Sequence, residues 1–219
     1  MTKDEKIAKL GKVITDRATV LLGKDKITPD SPEYLGINSA LKFTAVKYDE
    51  KMADDILDIA LTMKKRVPLT IEQLAKKNPQ FDRDYLEKAM QAISESGLVE
   101  FHWENLDGKN PNHEKRWVLD MFVPGSAEIM MINPEQSDMF PETADFFERM
   151  AYLPLAGITE MVPPGGAGIG MHVIPVEKAI PAESKSLPIE HLSHWLKKYE
   201  GHIGVSVCSC RKQQRIRGE

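Results

Sequence analysis

Cysteine is nearly missing from this sequence. Only two thiols occur in 219 residues, Cys208 and Cys210. They stand one residue apart, and a bond between them would close a small strained ring and tie down almost nothing, so no disulfide framework supports the fold. Long apolar runs are missing too, since no stretch approaches the roughly eighteen uninterrupted apolar residues of a membrane span. The N-terminus, Met1-Thr2-Lys3-Asp4-Glu5-Lys6, lacks the apolar core and small-residue cleavage site of a secretory leader. There is no excess of positive charge: 29 Lys and Arg against 33 Asp and Glu leave −4, which creates no field to gather nucleic acid or anionic lipid. These absences predict a cytoplasmic chain without a membrane partner. In a reducing compartment a thiol pair points to metal ligation.

What is present suits a globular chain. Hydrophobic residues make up 42% and charged residues 28%, enough apolar material for a core and too much for disorder. The spacing of Ile7, Leu10, Ile14, Ala18 and Leu21 predicts a helix over 3–23 with one buried stripe, closed by Gly23. Thr28-Pro29-Asp30-Ser31-Pro32 reads as a turn or linker, so residues 1–48 are expected to be an N-terminal helix and a linker.

Residues 49–124 read as helix, helix, helix, strand, turn, strand. The first helix runs through Ile56, Leu57, Ala60 and Met63 and stops near Val67-Pro68. The second opens with a capping box in which Thr70 and Gln73 satisfy each other's backbone donors, and ends at Pro79. The third has Asp82 as N-cap, Leu86, Met90 and Ile93 as its buried stripe, and Gly97 where a left-handed residue is wanted. The period then becomes two: Val99, Phe101 and Trp103 alternate with Glu100, His102 and Glu104, and a polar loop returns into Trp117, Leu119, Met121 and Val123. Three helices followed by a hairpin is the order of a winged-helix domain.

Residues 125–219 mix prolines and glycines with apolar residues. A short helix is expected from Pro141 to Tyr152 and another from Pro188 through Ile189, Leu192, Leu196 and Tyr199. Gly201 then releases a short strand, His202 to Val207, which delivers the cysteines. The predicted class is α+β and mainly helical, with a winged-helix-like domain followed by an irregular α/β segment that ends in a short strand and C-x-C.

Three motifs have plain explanations. A winged helix suggests DNA, but the third helix carries Asp82, Asp84, Glu87 and Glu95 against Arg83 and Lys88, a net −2 on the face that would meet phosphates. The hairpin loop offers Lys109, Lys115 and Arg116 with Asp107 and Glu114 beside them, so a structural or protein-docking role is expected ahead of DNA binding. Gly165-Gly166-Ala167-Gly168-Ile169-Gly170 lacks the strand and third glycine of a dinucleotide fingerprint and reads as a loop. His191 and His194 could complete a zinc site with the two thiols, but their helix has its apolar stripe elsewhere, so two solvated histidines are expected.

The strongest constellation is Val205-Ser206-Val207-Cys208-Ser209-Cys210-Arg211-Lys212. Thiolates favour iron–sulfur clusters, zinc and copper over hard cations. Arg211, Lys212, Arg215 and Arg217 follow with no acid before Glu219, and positive charge lowers thiol pKa values and offsets the charge of a thiolate-bound cluster. Cys208 and Cys210 are thus candidate metal ligands, and Arg211 and Lys212 the bases beside the bound group. A cubane cluster generally takes four cysteines. The others are expected from a second copy of the chain or from a longer polypeptide, and the abrupt end at Arg217-Gly218-Glu219 reads as a truncation.

The run Met171-His172-Val173-Ile174-Pro175-Val176-Glu177-Lys178-Ala179-Ile180-Pro181-Ala182-Glu183, with Leu187-Pro188 and Ile203-Gly204-Val205-Ser206-Val207-Cys208-Ser209-Cys210-Arg211, resembles the N-terminal region of anaerobic-bacterial iron–sulfur proteins. These include ferredoxin-like proteins and the flavin-containing pyridine-nucleotide oxidoreductases of the glutamate synthase small-subunit type. The resemblance implies that Cys208 and Cys210 are ligands of a 4Fe–4S-type cluster used in electron transfer. It also implies that further cysteines, and in some members FAD and NAD(P) modules, lie in a C-terminal part not included in this sequence. This chain would then be a scaffold and docking fragment, largely non-catalytic, whose partner is the remainder of its own polypeptide or a redox protein. The alternative is a winged-helix DNA-binding regulator whose C-terminal thiols sense metal or redox state.

Overall fold

The structure is a computed structural model that describes residues 1–15, 26–105, 108–121, 125–149 and 196–218. The described residues are mainly helical and include a small two-stranded antiparallel sheet. The chain divides into two compact units, Met1–Leu155 with Cys208–Glu219, and Ala156–Val207. Among the described residues no helix is long and apolar enough to cross a membrane.

Helix α1, Lys3–Thr15, buries Ile7, Leu10 and Ile14, the stripe read from the sequence. Its start is a capping box: the Glu5 N–H donates to the Thr2 hydroxyl at 3.2 Å while the Thr2 N–H donates to the Glu5 carboxylate at 2.8 Å. The expected end at Gly23 lies outside the described residues.

Helix α2, Pro32–Lys47, stands where a linker was expected. Pro32 occupies the first turn, where its missing N–H costs nothing, so the residue that suggested a break begins the helix instead. Tyr34, Ile37, Ala40, Leu41 and Phe43 bury around much of its circumference. A helix buried on most sides has no polar face and therefore no amphipathic period to read.

The next three helices and the hairpin come in the expected order, but the first helix ends at Thr62 and not near Val67-Pro68, and the second strand ends at Leu119. In α3, Glu50–Thr62, the Asp49 carboxylate accepts the Met52 N–H at 2.7 Å. Both bonds of the Thr70/Gln73 box are present at the start of α4, Ile71–Lys77. Asp82 caps α5, Arg83–Glu95, by accepting the Tyr85 N–H at 2.8 Å, and Gly97 follows at φ +82°. Strands β1, Val99–His102, and β2, Arg116–Leu119, pair antiparallel with Val99 opposite Leu119 and Phe101 opposite Trp117. The segment between α3 and α4 adds to β2, since Leu69 and Trp117 exchange backbone hydrogen bonds of 2.9 and 2.8 Å.

Beyond the hairpin the described residues 125–149 of the expected irregular segment are mainly helical. Short helices α6, Ser126–Ile132, α7, Pro134–Met139, and α8, Glu142–Phe147, occupy it, and only the last was expected. Two of these starts are locally encoded: the Gly125 N–H donates to Glu128 at 2.8 Å, and Asn133 accepts the Gln136 N–H at 3.2 Å ahead of Pro134. Helices of one or two turns carry too few residues to display a period. Helix α2 packs on α3 and α8, and α6 also packs on α8, completing the core.

The C-terminal expectation is corrected. Residues 202–207 form no β-ladder, and the chain continues from Cys208 into helix α9, Ser209–Arg217, rather than ending in a loop. Val205 and Val207 have strand propensity, but a strand needs a partner to satisfy its backbone. Within the second unit the described part is a helix end, a turn at Gly201 with φ +84°, and this exposed extended segment.

Asp120, just after β2, is a buried carboxylate beside the Arg66 Nε at 3.3 Å. Burial, reinforced by the charge of Glu100, pushes its pKa up to about 6, against the opposing pull of Arg66. The native state therefore holds this proton more tightly than the unfolded chain. The resulting stabilisation is complete below the ordinary Asp range and disappears as pH rises through about 6. Over pH 4–6 it is worth about 1–2 kcal/mol, because solvent around the exposed Glu100 carboxylate screens part of the full value. Asp120→Asn should flatten that loss, so urea midpoints measured from pH 4 to 7 should fall less in the variant than in the parent. Equal slopes would assign the pH dependence to other groups.

Candidate metal centre

Cys208 occupies the N-cap position of α9, with extended backbone at φ −73° and ψ 120°. Its thiol is exposed, whereas Cys210, on the first turn, is half-buried and packs against the core. The backbone N–H of Arg211 holds the Cys208 thiol below its usual range; the Cys210 N–H, the Arg211 charge and the Cys210 thiol add to the effect, and burial opposes it. The sulfur closes no capping hydrogen bond of full geometry, so this is mainly an electrostatic influence of helix-terminal amides.

Helix α9 is seated on α6 and α8. The buried Gln213 donates from Nε2 to Glu148 at 2.7 Å, Arg217 pairs with Asp145 at 2.6 Å, and Lys212 pairs with Asp138 of α7. Ile216 and Cys210 supply the apolar contacts. These attachments explain why a helix so poor in apolar residues forms: its burial is satisfied by acids far away in the sequence.

The four candidate residues are thus divided by the helix. Cys208 and Cys210 lie at its start with the exposed Arg211 beside them, while Lys212 is drawn towards Asp138. His191 and His194, and the glycine-rich run 165–170, lie outside the described residues. No family model, no curated protein and no solved structure matches the chain. Among the described residues no group of three or more His, Cys, Asp and Glu side chains could hold a metal. Cys208 and Cys210 are two soft donors with no third beside them among the described residues.

The sequence did not single out Gln213, Asp138, Asp145 or Glu148. Asp138, Asp145 and Glu148 belong to short helices with no local signal linking them to the C-terminus.

The surface between α5 and the hairpin also bears on function. Lys115 lies 4.1 Å from both the Phe101 and Trp117 rings, and Arg116 donates to the Lys109 carbonyl. Arg83 is held by Glu72 and Glu87 at 3.3 and 3.2 Å. Several of the bases a phosphate backbone would need are therefore already engaged within the protein.

Proposed function

We propose that this chain is a scaffold and docking region of an iron–sulfur oxidoreductase and contributes Cys208 and Cys210 as two thiolate ligands of a cluster used in electron transfer. One observation carries the reading: two thiols stand together at the start of a basic helix that distant acids fasten to the body of the protein. Bound there, a cluster would supply one-electron chemistry. The chain's part is to hold the two sulfurs, to place the positive charge of Arg211 beside them, and to keep Cys208 open to solvent. Thiols used this way stay reduced, which is consistent with a cytoplasmic setting.

The three helices and hairpin, with the segment before α4 joined to β2, support a winged-helix-like arrangement for residues 49–124. Its acidic α5 and self-engaged bases favour docking a protein over reading DNA, and they weigh against the regulator alternative. The test is anaerobic reconstitution of the chain with ferric iron, sulfide and excess thiol. A broad visible absorption from sulfur-to-iron charge transfer is expected after desalting; a colourless, iron-free product would sink the proposal.

A further inference from the structure

We propose that the cleft between α4, α5 and the hairpin docks a basic segment of a partner protein, one lysine or arginine side chain of which enters over the Trp117 ring. This rests on the docking role given above and names the chemistry of the partner; the thiols take no part in it.

Alternation along the hairpin puts Phe101, Trp103, Lys115 and Trp117 on one face, with Phe101 opposite Trp117. The Phe101 ring meets both tryptophans edge-on, with 5.2 Å between centroids in each pair. Trp117 is buried, but Trp103 at the end of the row is 50% exposed. An open tryptophan beside buried aromatic neighbours is the usual chemistry of an interface anchor. What these rings attract is visible within the chain itself. The Lys115 ammonium lies 4.1 Å from the Phe101 and Trp117 centroids and 6.0 Å from that of Trp103. Ring faces carry negative potential and favour a cation, and the lysine stem is flexible, so an incoming cation can take the place of Lys115.

The cleft beside this face encloses about 520 Å³, and Glu72, Glu87 and Glu114 line it together with Arg83, Lys115 and Trp117. Arg83 is held by Glu72 and Glu87 at 3.3 and 3.2 Å, two carboxylates to one guanidinium. Glu114 is exposed and has no basic partner among the described residues, and the same is true of Asp84 on α5. The cleft thus joins an aromatic wall to a surplus of negative charge, in a chain whose net charge is −4. An ammonium or guanidinium on an apolar stem satisfies both: its charge meets the carboxylates while its stem or plane lies on the rings. An acidic segment or a phosphate backbone is repelled there.

The experiment titrates the full chain against a labelled heptapeptide of alternating glycine and lysine with both ends blocked. Its glutamate counterpart and a labelled DNA duplex serve as comparisons, and binding is read by fluorescence anisotropy at low salt. Only the basic peptide should bind. Glu72→Gln/Glu87→Gln/Glu114→Gln should weaken it about tenfold, and Trp103→Ala about two- to fivefold. Asp30→Asn/Asp54→Asn/Asp58→Asn removes as many charges outside the cleft and should change binding by less than about twofold. Lys115→Ala, which frees the rings, should tighten binding more than Lys76→Ala, which removes the same charge from the other end of α4. No binding of the basic peptide, equal losses in the two acid-neutralised variants, or equal effects of the two lysine changes would overturn the inference and leave the docking role standing. Binding of the duplex by the parent would defeat the docking role as well.

Discussion

Replacing Phe146 with alanine should cost about 3–5 kcal/mol, and the same replacement should reverse the effect of a methyl group added at Gly36. Phe146 is fully buried in α8, and its ring occupies the space a side chain on Gly36 of α2 would need. A Cβ built there lies 2.4 Å from the ring's Cγ and 2.5 Å from one Cδ. The ring has no open side to move into, so Gly36→Ala alone should destabilise by about 1–3 kcal/mol. With the ring removed, the clash disappears and alanine's helix preference over glycine remains, so the same change should stabilise by up to about 1 kcal/mol. Urea unfolding of the parent, both single variants and the double variant measures the coupling. Additive effects would show that α2 and α8 do not meet at this point.

The second large effect is expected at Gly125, where the hairpin gives way to α6. Its backbone, at φ +148° and ψ −114°, lies in a region essentially reserved for glycine. A Cβ there would fall 2.3 Å from an Asp120 carboxylate oxygen and 2.4 Å from the Met121 carbonyl oxygen. Strain and collision act together, so Gly125→Ala should cost about 3 kcal/mol or more. Gly108 is the control: it also has positive φ, at +70°, but nothing lies within 4 Å of the position a Cβ would take. Gly108→Ala should cost only the conformational part, about 1–2 kcal/mol. Comparable losses at the two sites, read from denaturant midpoints at matched m-values, would mean that the contact with Asp120 and Met121 contributes nothing.

The legible features are those whose chemistry is local. Asp82, Thr70 with Gln73, and Gly97 act on backbone groups within a few residues, so their roles can be read directly from the sequence. The pairing of Phe101 with Trp117 follows from alternation on either side of a polar loop. Helix α2 was hidden because Tyr34, Ile37, Ala40, Leu41 and Phe43 leave it no polar face, and because Pro32 marks a helix start as readily as a break.

Helix α9 was hidden for the opposite reason. Arg211, Lys212, Arg215 and Arg217 resemble a solvated run, and what fastens the helix is Asp138, Asp145 and Glu148, roughly seventy residues away in the chain. Val205 and Val207 favour a strand by side-chain preference alone, and among the described residues no strand pairs with them. The thiol pair itself was evident from sequence. The division of its accompanying bases into a tethered set and an exposed set required the fold.

The central claim is that Cys208 and Cys210 ligate iron. Its most direct test is the iron and acid-labile sulfide content of the chain reconstituted anaerobically with ferric iron, sulfide and excess thiol, measured for the parent and for Cys208→Ser/Cys210→Ser after exhaustive desalting. The account predicts stoichiometric iron and sulfide in the parent and loss of both in the double variant, with unchanged helical content by circular dichroism. Equal iron and sulfide in the two proteins would contradict it.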